Sequence, residues 1–334
     1  MKRYVTLALA TVVATGLCGC FGKSSGAGEG QKLTRPVPKP PDYPKAQPQA
    51  ADQTLRTRAL NQLRASANSQ NPFCRAHAVE ASRYLPIDTG REIILKATSD
   101  PATVVRFAAL MTAGEIRLPQ IAVPATKLVN DPDKSVQAAA IFALHRIGDV
   151  RYSHELEEFA GDPDRQVRAN TALLLGLLGE KSAENILRYQ LRDNDPTIRL
   201  QASESLWRLG FDDALESLVI GTISRYPDDQ MISATALASR HDPRVAEHLR
   251  GMLTSAYPEV SLVAARAMGM IHSDEGYGVA TKGITSEDPR RRQLAAMAFG
   301  AIGRIDAQQM LGKLLDDTDE DVRIAAASSL LQLH

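Results

Sequence analysis

From about residue 51 to the C-terminus, apolar residues cluster with a period of 31. Taking Arg168 as an anchor and stepping by 31 gives Arg75, Arg106, Gln137, Arg168, Arg199, Gln230, Ser261, Arg292 and Arg323. Positions are numbered below relative to this anchor. The −1 residue is Val or Ile in six of the nine units, and the +3 residue is Ala, Thr or Ser in all nine. Position +7 is mostly large and apolar, as in Leu144, Leu175, Leu206, Leu237, Met268, Phe299 and Leu330. At 3.6 residues per turn, positions −1, +3, +6, +7 and +10 share one face, so the spacing predicts a helix from about −3 to +10. Gly148, Gly179, Gly210 and Gly303 stand at +11, where a left-handed C-terminal cap is wanted. A shorter and more polar helix precedes each of these, as in 152–160 and 307–317. Proline falls in the turn between the two, at −5 in Pro101, Pro132 and Pro163 and at −3 in Pro72, Pro196, Pro227, Pro258 and Pro289. There it ends one helix and opens the next.

A 31-residue helical hairpin cannot bury its own apolar face, so neighbours must stack. The fold class is therefore all-α: an α-solenoid of about nine 31-residue helical-hairpin repeats over residues 51–334. Helices packed ~8–10 Å apart would make a curved body roughly 70–90 Å along its axis. Composition agrees, since 44% of residues are apolar but only 5% aromatic, and small aliphatic side chains suit close helix packing. The segments "DPDRQVRANTALLLGLLG", "DPDKSVQAAAIFALHRIG" and "DPRRRQLAAMAFGAIG" resemble HEAT-like repeats of the phycobilisome-lyase type. The resemblance covers residues 51–334. It implies a fold more than a function, because that family holds lyases, hydroxylases and plain scaffolds.

The N-terminus follows other rules. Residues 1–20, "MKRYVTLALATVVATGLCGC", have a basic start and an apolar run too short for an ordinary membrane span, the pattern of an exported signal peptide. Their end resembles the lipobox of bacterial lipoproteins. That resemblance implies lipidation of Cys20 and cleavage before it, with Phe21 following, which points to the periplasmic side of the outer membrane of a Gram-negative bacterium. Residues 21–50 pass from Gly/Ser-rich to Pro-rich sequence and read as a disordered tether. The whole chain carries 39 basic and 39 acidic side chains, which leaves no basic footprint for nucleic acid.

Charged residues six apart recur from repeat to repeat: Asp100 with Arg106, Asp131 with Gln137, Asp162 with Arg168, Asp193 with Arg199, and Asp317 with Arg323. Catalytic groups are singular, whereas fittings recur. The HEAT resemblance implies that such pairs form a structural ladder between the turns of neighbouring repeats. Seven histidines are present, but only His154-Glu155 forms the dipeptide that the related deoxyhypusine hydroxylases use several times over for iron. A metal needs three or four converging ligands, so no metal and no cofactor is expected. His77 and Glu80 have helical i,i+3 spacing without a matching set elsewhere. Cys74 fills a slot otherwise held by Val or Ile and reads as a small buried hydrophobe. No nucleophile or phosphate-binding motif is visible, so the chain is not expected to be an enzyme; the alternatives are a bilin-lyase-like or metal-dependent catalyst, or a purely structural envelope protein.

What remains is surface. Positions +1, +5 and +8 of the second helix point away from the −1/+3/+7 face and are expected to line a concave wall. Large apolar residues there predict a groove for a protein or peptide partner. Its expected residues are Phe107, Met111, Phe142, His145, Trp207 and Arg208, with burial between tightly curved repeats as the competing outcome. The expectation is a monomeric, lipid-anchored scaffold that meets the membrane through Cys20 and its partner through this groove.

Overall fold

The computed structural model describes residues 52–333. The expected signal peptide at 1–20 with Cys20, and the expected tether at 21–50, lie outside these residues. Those described form an all-α chain of nine helix pairs. The pairs are α1 (Gln53–Ser66) and α2 (Pro72–Ala81), α3 (Ile87–Ala97) and α4 (Thr103–Glu115), α5 (Ala122–Leu128) and α6 (Lys134–Arg146). Next come α7 (Glu155–Ala160) and α8 (Arg165–Leu178), α9 (Glu184–Gln190) and α10 (Pro196–Arg208), α11 (Leu215–Thr222) and α12 (Pro227–Ala238). The last are α13 (Ala246–Met252) and α14 (Pro258–Met270), α15 (Tyr277–Gly283) and α16 (Pro289–Ile302), α17 (Gln308–Leu314) and α18 (Glu320–Gln332).

Each even-numbered helix begins at −3, and α8 and α16 run to +10. Local chemistry fixes both ends. Asn71, Asp133, Asp164, Asp195, Asp288 and Asp319 at −4 accept hydrogen bonds from first-turn amides, satisfying donors that would otherwise be orphaned. At +11 the chain turns left-handed in seven repeats. Four use the glycines named above, with φ between 76° and 98°; Arg117, His241 and His272 do the same at 51–63°. The +11 histidines are thus cap residues.

The inner wall is built from the even-numbered helices, each packed on the next. The stack does not end in two open faces. Helix α18 packs on α1 and α2, so the last repeat meets the first and the solenoid closes into a ring. Polar contacts lock the seam. Arg58 reaches Asp316 at 2.6 Å, the Asp52 amide donates to Gln308 at 2.9 Å, and Ser66 and Ser69 donate to Glu320 at 2.8 Å each. Leu55, Ala59, Leu63 and Cys74 share one apolar cluster with Leu311, Leu314, Val322 and Ala326. The open body of 70–90 Å expected from stacking alone is therefore wrong: the rotation per repeat accumulates until the ends meet.

Position +8 lies at the crossings of the inner helices, and glycine there permits the closest approach. Gly114, Gly176, Gly269 and Gly300 occupy it at the close crossings α4/α6, α8/α10, α14/α16 and α16/α18. A Cβ at Gly269 would lie 2.5 Å from the Ile302 amide nitrogen, and one at Gly300 would lie 2.8 Å from the Ser329 Cβ. At α10/α12 the same position is Trp207, and that contact is the thinnest in the inner wall. Arg83 is large but leaves α2/α4 close, because its guanidinium runs on to pair with Glu115 at the end of α4.

Candidate functional site

The recurrent Asp/Arg residues sit in the turns that open the inner helices, and the pairing is not the i,i+6 one. Arg168 gives Nη1 to the backbone carbonyls of Asp162 and Pro163 in its own turn, at 2.8 and 3.1 Å. Its Nε and Nη2 straddle the carboxylate of Asp193 in the next repeat, at 2.7 and 3.2 Å. Arg75 with Asp100, Arg106 with Asp131, and Arg292 with Asp317 repeat this fork. The shorter Gln137 reaches only the Asp131 carbonyl, and Lys134 takes over the Asp162 carboxylate at 2.5 Å. Arg199 and Arg323 bond the carbonyls of their own turns at Asp193 and Asp317. The residue Arg199 would meet in the next repeat is Ser224, so no carboxylate is there to receive its fork. Hydrogen bonds from Arg168 and Arg292 hold Asp193 and Asp317 below the usual carboxylate range against the opposing effect of burial. The −6 position is Asp in repeats two to five and nine but Ser in repeats one and six to eight. The junctions from repeat five to repeat eight therefore lack the carboxylate rung, while Arg292 and Asp317 keep it between repeats eight and nine.

The predicted groove is not an open surface. Phe142 and Trp207 are 0% exposed, Met111 1% and Phe107 9%. His145 and Arg208 are half-buried, with His145 3.2 Å from Glu180 and Arg208 2.7 Å from Glu204. Two physical causes combine. Position +8 faces the next inner helix and not the concave space: the Trp207 indole donates to the Leu237 carbonyl at 3.1 Å, under the Arg240 guanidinium at 4.1 Å. Positions +1 and +5 do face inward, but ring closure tightens the curvature until Phe107, Met111, Phe142 and Leu173 fill that side as core.

The inward space stays open on the other side, against repeats one and six to nine. A cavity of about 410 Å³ lies there. Its wall uses positions −2, +1, +2, +5 and +9, with Met231, Ile232, Val263, Leu294, Met297 and Ile324 as the apolar part. Thr235, Gln293, Ser328 and Gln332 add neutral polar groups. Asn71, Phe73 and Arg290, all exposed, stand at the N-terminal rim of the inner helices. The four repeats with Ser at −6 all line the cavity, together with repeat nine, which keeps Asp317 there.

Glu80 and Arg266 line it from the +5 positions of repeats one and seven, and both are buried, at 2% and 7% exposed. Burial pushes the Glu80 carboxyl up to about 8 despite the opposing charges of His77, Arg83 and Arg266. Its Oε2 has no hydrogen-bond partner. Burial pulls the Arg266 guanidinium below its ordinary value, with Tyr84 and Glu80 acting the other way. Behind this pair, burial lifts Glu115 to about 7 against the attraction of Arg83 and Arg208. His77 Nδ1 lies 2.8 Å from Asp321 across the seam. Desolvation opposes the charged imidazole, but Asp321 and Glu80 outweigh it and raise the His77 pKa. Cys74 is 2% exposed, and its thiol is pushed up to about 12 by burial and by Asp321 and Glu320. Such a thiol is a poor nucleophile. Among the described residues no three His, Cys, Asp or Glu side chains converge as a metal site would require.

The sequence did mark Glu80, Glu204 and Arg266 as charged residues in a +5 row otherwise holding Met, Phe, Leu, Thr and Ser. It had no means of placing repeat one opposite repeat seven, so the lumen charges were missed as a group.

A sequence profile of HEAT repeats matches residues 91–162, 153–238 and 247–331, more than half of the chain. No curated protein matches the chain in sequence. Among solved structures, the CpcE–CpcF complex of phycocyanin lyase from Nostoc sp. PCC7120 is similar at 16% identity, covering 73% of this chain and 98% of that one, with a TM-score of 0.46. Human deoxyhypusine hydroxylase in complex with glycerol is similar at 14% identity, 84% and 97% coverage and a TM-score of 0.37. Kap121p bound to Nup53p is similar at 15% identity, 80% and 36% coverage and a TM-score of 0.36. These likenesses concern helical-repeat architecture alone.

Proposed function

Because this chain belongs to the family of HEAT-repeat proteins, and because its repeats close into a ring, we propose that it is a binding protein that takes a peptide segment of a partner into its lumen. One observation carries the reading. Apolar and polar side chains fill the inward face over repeats two to five, yet about 410 Å³ is left open against repeats one and six to nine. That volume falls within the ~300–1,000 Å³ typical of small-ligand sites and is far too small for a folded domain. The wall mixes apolar, neutral polar and charged side chains, with Asp228, Asp321 and Arg290 among the last, as a peptide with varied side chains and amides requires. The role is non-catalytic binding by a monomer. In this reading the ring is lipid-anchored through Cys20 on the periplasmic side of the outer membrane. The support for that part is the signal-like N-terminus ending in "LCGC" and followed by Phe21.

A photo-cross-linking residue at Met297, inside the lumen, tests the binding reading in cells. A second at Ile223, 80% exposed on the convex side, is the control. The expected result is discrete adducts from position 297 and none from 223. Equal adducts from both, or adducts from 223 alone, would refute lumen binding. Cys20→Ser should abolish lipid labelling and release the protein from membranes; unchanged labelling would refute the anchor.

A further inference from the structure

We propose that the ring is a clamp of two stiff arcs, repeats one to five and repeats six to nine, which pivot at the α10/α12 contact around Trp207 and part at the seam, opening the cavity sideways. The motion does not depend on the lumen-binding reading above. Its use does rest on that reading: it admits an internal stretch of a partner chain, which a closed ring would turn away.

Connectivity selects the opening. Nine helix pairs in a ring make nine junctions, and the chain itself crosses eight of them. Only repeats nine and one can separate without stretching the backbone. Their junction borders the cavity, whose wall holds Phe73, His77 and Glu80 of repeat one beside Asp321, Ile324 and Ser328 of repeat nine. The His77–Asp321 pair spans it at 2.8 Å. No arginine fork ties it, because the −6 residue of repeat one is Ser69 and Arg323 bonds the carbonyls of its own turn. The apolar cluster at the seam keeps the closed ring as the major state.

The pivot is selected by what each junction carries. In repeats one to five every junction is bridged: Arg75 to Asp100, Arg106 to Asp131, Lys134 to Asp162 and Arg168 to Asp193. In repeats six to nine, His241 meets the Met270 carbonyl at 2.5 Å, and Arg291 with Glu259 and Arg292 with Asp317 pair at 2.7 Å each. The glycine crossings at Gly269 and Gly300 tighten the same arc. Between the two sets lies α10/α12, with five repeats to the seam on one side and four on the other. Its inner contact is the thinnest in the wall, and Arg199 meets Ser224 there in place of an acid. On the outer side Arg188 pairs with Asp213 at 2.8 Å. Opening a ring straightens its curve, so the inner faces opposite the gap separate while the outer edge stays in touch. The polar links that must yield at α10/α12 are the Trp207 indole bond to the Leu237 carbonyl at 3.1 Å and the Arg240 stack on that indole at 4.1 Å.

Two probes in the purified full chain register rare openings. Cys74, 2% exposed and 3.6 Å from Asp321 across the seam, reacts with a thiol reagent when the seam parts, and mass spectrometry reads the adduct on its own peptide. The indole N–H of Trp207, the single tryptophan, exchanges with deuterated solvent when its bond to Leu237 breaks, and one nuclear magnetic resonance signal follows it. In the unaltered protein the two probes should give one opening free energy and one urea slope, smaller than that of global unfolding. Unequal slopes refute a single motion, and slopes equal to the global one refute rigid arcs. Glu320→Ala at the seam should speed both probes about tenfold. Asp212→Ala, which releases Arg240 and Arg244 beside Trp207, should speed both about threefold, as the loss of exposed ion pairs allows. A variant that moves only its own probe, or neither, refutes the coupling. Ile94→Val, buried in α3 away from both sites, should move neither, and equal acceleration by this variant refutes the hinge. Neither probe needs a partner, so these results and the Met297 cross-links are decided separately.

Discussion

The fit at position +8 yields a prediction with opposite signs at two glycines. Gly269 lies in inner helix α14, where an added Cβ would sit 2.5 Å from the Ile302 nitrogen, 2.6 Å from the Ala301 carbonyl carbon and 2.9 Å from its oxygen. All three are backbone atoms of α16, so no side chain can rotate aside; the helices must part by roughly the ångström needed to reach ordinary contact. Overpacking of this kind costs about 1–3 kcal/mol. Alanine returns up to ~1 kcal/mol of helix propensity, so Gly269→Ala should destabilise by a net 1–2 kcal/mol. Gly251, in outer helix α13, has nothing within 4 Å of the same added atom. There the propensity gain stands alone, and Gly251→Ala should stabilise by about 0.5–1 kcal/mol. At roughly 2–4 °C per kcal/mol for a domain of this size, the two variants should differ in Tm by about 4–10 °C. Circular dichroism at 222 nm during thermal and urea melts measures both, with an unchanged urea m-value certifying that stability alone has moved. If Gly269→Ala melts at or above the unaltered protein, the absent side chain does not set the spacing of α14 and α16.

Other consequences follow from the same contacts. Trp207→Ala should cost about 3–5 kcal/mol, the range for a fully buried large aromatic, and urea denaturation would show it; a loss under 1 kcal/mol would mean that α10 and α12 close the gap by themselves. Glu80, Glu115 and His77 all hold protons more tightly in the folded ring than in the unfolded chain. Stability from these groups is thus full below the unfolded carboxyl value near 4.5 and is lost as pH rises through about 7–8. Tm should fall between pH 5.5 and 8, and Glu80→Gln should flatten that slope; a Tm rising over this window would contradict the assigned protonation. At the seam, Glu320→Ala removes the acceptor shared by Ser66 and Ser69 and should speed thiol-reagent labelling of Cys74 about tenfold, the kinetic equivalent of ~1.4 kcal/mol of easier local opening. Unchanged labelling would place the opening of the ring elsewhere.

The repeat was legible in the sequence because it is local. A 31-residue period, the −3 start and the +11 cap each depend on residues within one turn of the feature they specify. The left-handed caps at Arg117, His241 and His272 escaped notice because only glycine advertises that conformation. Closure was not legible at all. It depends on small rotations summed over nine units, and it brings Arg58 against Asp316 across 258 positions. The misjudged burial at positions +1 and +5 follows from that omission, whereas Trp207 was misplaced because position +8 faces the neighbouring helix. Phe107, Met111 and Phe142 would be a sticky wall on an open arc, and in a ring they are core. Glu80 and Arg266 read as scattered surface charges until the first and seventh repeats were known to face each other. The ladder was half legible: the recurrence marked it as structural, but the geometry of an arginine fork decides that its carboxylate belongs to the following repeat.

The seam carries a last consequence, for the history of the gene. Open solenoids lengthen and shorten freely, since a duplicated or deleted unit changes only how far the stack extends and the terminal repeats keep their protective caps. A ring has no such freedom. Its first and last units shield each other's apolar faces, so a chain of eight or ten would leave both faces bare or force them past one another. Unequal recombination between such similar units should therefore be purged whenever it changes their number. Repeat number in this lineage should be fixed at nine, the reverse of how repeat arrays usually diversify.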